Sequence, residues 1–226
     1  VTGVQTCALP IFQQDYMCSF EQIADQFFYT FNKHKHCGEV VDRGGDLYTF
    51  HDFNKRVMCA VVAQVTKDHT IDGKIEVLKS YAIPDCSTEG IASAIREDFP
   101  RRRINSIIDM SGTQLNRDTT SAFGITDRVI LEKYGFTIVN HKNSNPLIAD
   151  TDNTSNAFIN RGGLVVKSSD KDLLESLGTY HFEDGSRKKL VKYTEQAYAH
   201  IDGLGDCIRY GIHHLFPINH GDLLIP

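Results

Sequence analysis

Residues 57–65, VMCAVVAQV, constrain the fold more than any other stretch of this chain. The run is apolar without alternation, rich in β-branched valine, and well short of the ~20 residues a membrane helix needs. It reads as a strand covered on both faces. LYTFHDFN before it alternates in a strand-like way, and TIDGKIEVLKSYAI follows it. In the latter, Asp72-Gly73 stands between two extended segments, a strong hairpin signal, so the third strand is expected to return antiparallel to the second.

The period then changes. STEGIASAIREDFP is helical, with Ser87 or Thr88 as cap, Ile91, Ala94 and Ile95 on one face, and Pro100 as a stop. INSIIDMSG follows as an apolar fourth strand. A helix is expected from Thr119 to Gly135, with Ile125, Val129, Ile130 and Tyr134 inward and Gly135 closing it. FTIVNH is the fifth strand. Two shorter helical stretches, near 151–160 and 170–178, a short extended GLVVKS and a polar turn EDGSRKK lead to a closing helix, AHIDGLGDCIRYGIHHLF. The pattern predicts an α/β fold: a mixed five-stranded sheet, three antiparallel strands then parallel strands four and five, flanked by helices.

The chain before this sheet reads differently. Residues 1–11, VTGVQTCALPI, match the translated end of a common sequencing adaptor and are set aside as an artefact, so the natural protein is expected to begin upstream. They lack the charged start and the small-residue cleavage site of a signal peptide. Residues 12–46 mix aromatics with charges and read as a linker or the end of another domain, leaving 47–226 as the folded domain. Within that lead-in, KHKHC supplies His34, His36 and Cys37 but no second cluster at zinc-site spacing. A solvated basic turn is the simpler reading.

A right-handed crossover through the first helix brings strand four beside strand one, parallel to it and away from strand two. The carboxyl ends of these strands then form a switch-point crevice, where open α/β sheets bind ligands. Asp52 and Asp109 sit at those ends. Adjacent strands lie ~4.8 Å apart, so the two carboxylates can share one divalent cation or bracket two ions ~3.5–4 Å apart. The closing helix offers Asp202 and Asp206 one turn apart on one face. An aspartate at a strand end often only starts a turn. Two of them at the ends of otherwise apolar strands, followed by a helix that offers two more, are costly without a cation or partner.

With these residues in place, the chain resembles the nuclease domain of large terminase subunits, the DNA-packaging motors of tailed bacteriophages, whose fold is that of ribonuclease H. The resemblance rests on the order of QQDYMCSF, FYTFNKHKH, HDFN, DMSG, NPLIADTDNTSNAFINRGG and HIDGLGDCIRYGIHHLFP over residues 13–217. It implies an endonuclease that cuts concatemeric viral DNA in the cytoplasm of the infected host and is not part of the mature virion. It also implies two Mg²⁺ or Mn²⁺ ions held by Asp52, Asp109 and one or both of Asp202 and Asp206. Asp206, which opens DCIRY, is the preferred third ligand, with Asp202 an alternative that could instead cap the helix. The implied partners are double-stranded DNA, an ATPase domain, the portal and the small terminase subunit, with no membrane. The glycine-rich phosphate loop of such an ATPase is not in this sequence, and EDGSRKK cannot replace it, so cutting without ATP-driven pumping is expected.

The net charge of −5 argues against holding nucleic acid by bulk electrostatics. Local basic clusters could still meet phosphates: Lys55 with Arg56, Arg101 with Arg102 and Arg103, and Arg187 with Lys188 and Lys189. Each serves equally well as a solvated turn. Among the histidines of the closing helix, His200 is the one whose position suits a place beside the aspartates, and His213 and His214 suit surface or packing roles. The cysteines show neither paired spacing nor a small secreted context, which suits a reducing compartment. Two rival readings share some of these features: another ribonuclease H-like nuclease, such as a junction resolvase or transposase core, and a non-catalytic DNA-packaging module that would tolerate loss of a carboxylate.

Overall fold

The computed structural model describes residues 25–54, 56–70, 72–110, 125–140, 145–183 and 187–217. Residues 1–11, QQDYMCSF, Lys55 and residues 119–124 of the helix expected from Thr119 to Gly135 therefore lie outside the described residues. The strands are β1 (Cys37–Gly38), β2 (Leu47–Asp52), β3 (Val57–Thr66), β4 (Lys74–Pro84), β5 (Ile104–Ile108), β6 (Phe136–Ile138) and β7 (Leu164–Lys167). The helices are α1 (Lys33–His36), α2 (Thr88–Asp98), α3 (Asp127–Lys133), α4 (Ile148–Asn160), α5 (Lys171–Thr179) and α6 (Ala199–Leu215).

β3 is apolar from Val57 to Ala63 because helices cover both its faces there. Cys59, Val61 and Ala63 point into a core built with Phe158 and Ile159 of α4, Leu173 and Leu177 of α5, and Leu204, Ile208 and Ile212 of α6. Met58, Ala60 and Val62 point the other way, onto Ile91, Ala92 and Ile95 of α2 and Leu131 of α3. Full burial of each large side chain here contributes about 1.5–3 kcal/mol. Ser87 caps α2 by accepting a hydrogen bond from the Gly90 amide, and Gly135, at φ 77°, follows the end of α3.

The sheet runs in the order β1-β7-β4-β3-β2-β5-β6. β2 and β5 are parallel neighbours from Leu47↔Ile104 to His51↔Ile108, so the first and fourth strands of the sequence reading do lie side by side. The strand count needs correction: the sheet has seven strands rather than five. GLVVKS contributes β7, which pairs parallel to β4, and the two-residue β1 pairs parallel to β7. β3 and β4 are antiparallel as expected. Their connection, however, spans Lys67 to Gly73, with Lys67 and His69 in the left-handed region at φ 51° and 57°. Asp72-Gly73 thus ends a longer loop instead of forming a two-residue turn.

Residues 26–40 pack against this sheet. Phe27 and Phe28 are fully buried beside Tyr180 and Phe182, where the sequence suggested only a lead-in. His36 is 3% exposed, so the basic turn is not wholly solvated. α3 begins at Asp127, capped by Thr126, and turns Ile130 and Leu131 inward while Val129 is exposed. Among the described residues no helix is long and apolar enough to cross a membrane.

Candidate metal centre

Alternation along β2 sets the first carboxylate. Phe50 joins the core beneath α6, and Asp52, two residues on, shares that face and closes the strand. Asp109 is the first residue past β5, anchored by its amide, which donates to His51 O at 3.1 Å. α6 lies directly on these strands because its sequence puts glycine at the contacts. A Cβ on Gly203 would stand 2.6 Å from Cys59 Sγ and 3.4 Å from Asp52 Oδ2, and one on Gly211 would stand 2.6 Å from the Phe50 ring. Asp202 and Asp206 therefore face the strand ends at close range. All four aspartates are buried, at 8%, 8%, 1% and 3% exposure for Asp52, Asp109, Asp202 and Asp206.

Their partners differ sharply. Asp206 Oδ1 accepts from Tyr180 Oη and from Arg209 Nε, each at 2.6 Å, and its Oδ2 lies 2.8 Å from Lys192 Nζ. Asp202 Oδ2 lies 3.2 Å from the same ammonium, while its Oδ1 is buried with no hydrogen-bond partner among the described residues. Asn145 donates to Asp109 Oδ1 and accepts from the Met110 amide at 3.0 Å, which fixes the Asp109 carboxylate. The helix starts at Ala199, so Asp202 stands in its first turn and does not cap it.

The charges sort the same way. Burial, then the neighbouring Asp206, Asp109 and Asp202, pushes the Asp52 carboxyl well above the usual range, against the pull of Lys192. Burial raises Asp202 too, with Asp206 adding to it and Lys192 opposing. Burial also works to raise Asp206, but Arg209 and Lys192 outweigh it and hold that carboxyl below its ordinary value. Asp206 is thus a charge with its counter-ions in place. Asp202 shares Lys192 with Asp206, and at both Asp202 and Asp52 burial outweighs that cation and disfavours the charged form.

The remaining sequence candidates scatter. Arg56, in the turn after Asp52, is exposed and donates to Thr194 O, near the segment that carries Lys192. Arg101 and Arg102 precede β5 and so lie at the opposite end of that strand from Asp109, about five residues or ~17 Å away. Arg102 is further committed to Asp42 at 2.8 Å and to Gly45 O. Arg187 stacks over Tyr29 and Phe182 beside Asp152, and Lys188 is exposed. His200 pairs with Glu175 at 3.1 Å and is not one of the groups set against the aspartates. The sequence reading missed Tyr180, Lys192 and Asn145, which carry no spacing signal. Arg209 was within reach of it, as the i+3 partner of Asp206 on a helix face.

Among the described residues no three His, Cys, Asp or Glu side chains already stand as a ready metal-binding group. The ammonium of Lys192 lies against Asp202, which would have to join one, and against Asp206. The donor set nevertheless suits a hard divalent cation, being all carboxylate oxygen. The unpartnered Oδ1 of Asp202 and the raised carboxyl of Asp52 leave negative charge unmet there.

No family model and no curated protein matches the sequence. Solved structures do. The chain superposes on the P22 large terminase nuclease domain with a TM-score of 0.60 at 12% identity, covering 88% of this chain and 97% of that one. The fold is that of the large terminase nuclease domains. A full large terminase from a thermophilic bacteriophage gives a TM-score of 0.63 at 13% identity over 84% of this chain. This chain spans a little under half of that protein's length, 45%. The large terminase nuclease of thermophilic phage G20c, a structure with bound magnesium, gives 0.50 at 11% identity, covering 86% of this chain and 99% of that one.

Proposed function

We propose that this chain is a divalent-metal-dependent DNA endonuclease domain of a phage packaging terminase. The observation that carries the reading is the unpartnered, buried Asp202 Oδ1 among four aspartates at the carboxyl ends of β2 and β5. The terminase nuclease fold and the magnesium bound by the G20c nuclease support it. Asp52 and Asp109 would hold metal from the sheet and Asp202 from the helix. Asp206, preferred on sequence, is instead occupied by Arg209, Tyr180 and Lys192 and serves to shape the site. Bound there, two Mg²⁺ or Mn²⁺ ions would supply a water of lowered pKa and stabilise charge on the leaving 3′ oxygen. Asn145 orients the Asp109 carboxylate, Tyr180 at the end of α5 ties down Asp206, and Arg209 joins α6 to Thr151 of α4.

The substrate in this reading is concatemeric double-stranded viral DNA in the cytoplasm of an infected bacterium, with an ATPase domain, portal and small subunit as partners. Near-complete coverage of the P22 nuclease domain favours it over a resolvase or transposase core. The test is plasmid DNA incubated with Mn²⁺: it should be nicked or linearised, and EDTA should stop the reaction. Asp52→Asn, Asp109→Asn and Asp202→Asn, each shown folded by circular dichroism, should abolish cutting. Undiminished cleavage by Asp52→Asn and Asp109→Asn would overturn the proposal.

A further inference from the structure

We infer that Lys192 is the resident counter-cation of the metal-free centre and is exchanged for divalent metal when the centre loads. The inference rests on the metal-dependent reading above. Among the described residues two cations, Arg209 and Lys192, meet these aspartates, and the structure holds them very differently. Arg209 is 7% exposed in its side chain and is tied to Asp206, Tyr210 Oη at 2.7 Å and Thr151 Oγ1 at 3.4 Å. Lys192 leaves 59% of its side chain exposed while its ammonium reaches carboxylates that are 2% and 4% exposed. It sits outside any helix or strand, between the bridge at Leu190 and the short turn Gln196–Tyr198. Its flexible stem can carry the ammonium back to water without unpacking the core. Arg209 has no such route.

The charge balance supplies the reason for an exchange. When all four carboxyls are ionised, they outnumber the cations against them among the described residues, Arg209 and Lys192. One ammonium bridges Asp202 Oδ2 and Asp206 Oδ2 but leaves Asp202 Oδ1 unmet. A divalent ion brings more charge to Asp202 and takes several carboxylate oxygens at once. Lys192 therefore stabilises the empty centre and competes with the ion for it. The competition sets the metal concentration at which the centre fills.

Calorimetric titration with MnCl₂ and thermal melts of the intact chain test this. Lys192→Gln should bind Mn²⁺ on the order of tenfold more tightly than the unaltered protein, the loss of one close but half-exposed charge competitor. It should melt lower than the unaltered protein in EDTA and no lower in saturating Mn²⁺. Lys192→Arg, which keeps the charge, should bind no more tightly. In the unaltered protein, acylation of the Lys192 amine, read by mass spectrometry, should rise when Mn²⁺ is added. Unchanged or weaker Mn²⁺ binding by Lys192→Gln, or labelling indifferent to Mn²⁺, would overturn the exchange while leaving the metal site standing. Absence of Mn²⁺ binding by both proteins would overturn the metal-dependent reading and the exchange together.

Discussion

Arg209 Nε stands 2.6 Å from Asp206 Oδ1, and both side chains are buried. Removing one member of such a pair strands the other charge in the interior, which costs about 3–5 kcal/mol. Asp206→Ala should therefore lower the melting temperature by roughly 10 °C, with Asp206→Asn intermediate because the amide still accepts from Tyr180. Asp202→Asn should stay within a few degrees of the unaltered protein while losing Mn²⁺ binding. Differential scanning calorimetry in EDTA decides it, and equal losses for the two positions would contradict the division of roles drawn here.

Asp52 stands on the opposite side of this balance. Burial and three neighbouring carboxylates act on it, with Lys192 in partial relief, so its charge costs stability whenever metal is absent. Asp52→Asn should raise the melting temperature of the metal-free protein by a few degrees, and added Mn²⁺ should stabilise only the unaltered chain. A melt in EDTA that is lower for Asp52→Asn would show that this charge is better compensated than its surroundings indicate.

Asp52 and Asp109 could be read from sequence because strand periodicity and the crossover rule fix which strand ends meet, and apolar strands make a terminal aspartate conspicuous. Asp202 and Asp206 were legible from their one-turn spacing. Their division of labour was not, since Asp206 is claimed by Tyr180 and Lys192 from 26 and 14 residues away, contacts that no local pattern records. β7 and β1 were missed as sheet members for a similar reason. A four-residue and a two-residue strand have too few alternations to reveal a partner, and Leu164 and Val166 of β7 share a core with α4 and α5 residues that local sequence does not show. The burial of Phe27 and Phe28 likewise depends on Tyr180 and Phe182, far along the chain.

Basic residues should matter for DNA according to which end of the sheet they occupy. Arg56 lies in the turn just past Asp52, whereas Arg101 and Arg103 lie before β5, away from Asp109. Arg56→Ala should weaken DNA binding across all sequences and reduce the slope of log affinity against log salt by about 1. Arg101→Ala and Arg103→Ala should leave both unchanged. Fluorescence anisotropy over a salt series measures this, and a loss confined to Arg101 and Arg103 would place the DNA on the other side of the sheet.

The last prediction concerns His36, which the sequence placed in a solvated turn and the structure buries. Its Nδ1 accepts from the Asn32 amide at 2.9 Å, and its ring stacks on Phe31 with centroids 5.6 Å apart. Burial, joined by Lys35 and partly opposed by a backbone hydrogen bond with Ile159, holds its pKa below the ordinary 6.5. The unfolded chain thus takes up a proton near 6.5 that the native chain resists. Stability from this group is complete above that value and is lost as pH falls from it toward the depressed native value. His36→Gln, which cannot titrate, should cost about 1 kcal/mol at pH ~8 through its poorer hydrogen bond, yet show a shallower loss of stability as pH falls below 6.5. Urea denaturation at a series of pH values gives both curves. If His36→Gln declines as steeply as the unaltered protein, the buried imidazole is not what makes this segment acid-sensitive.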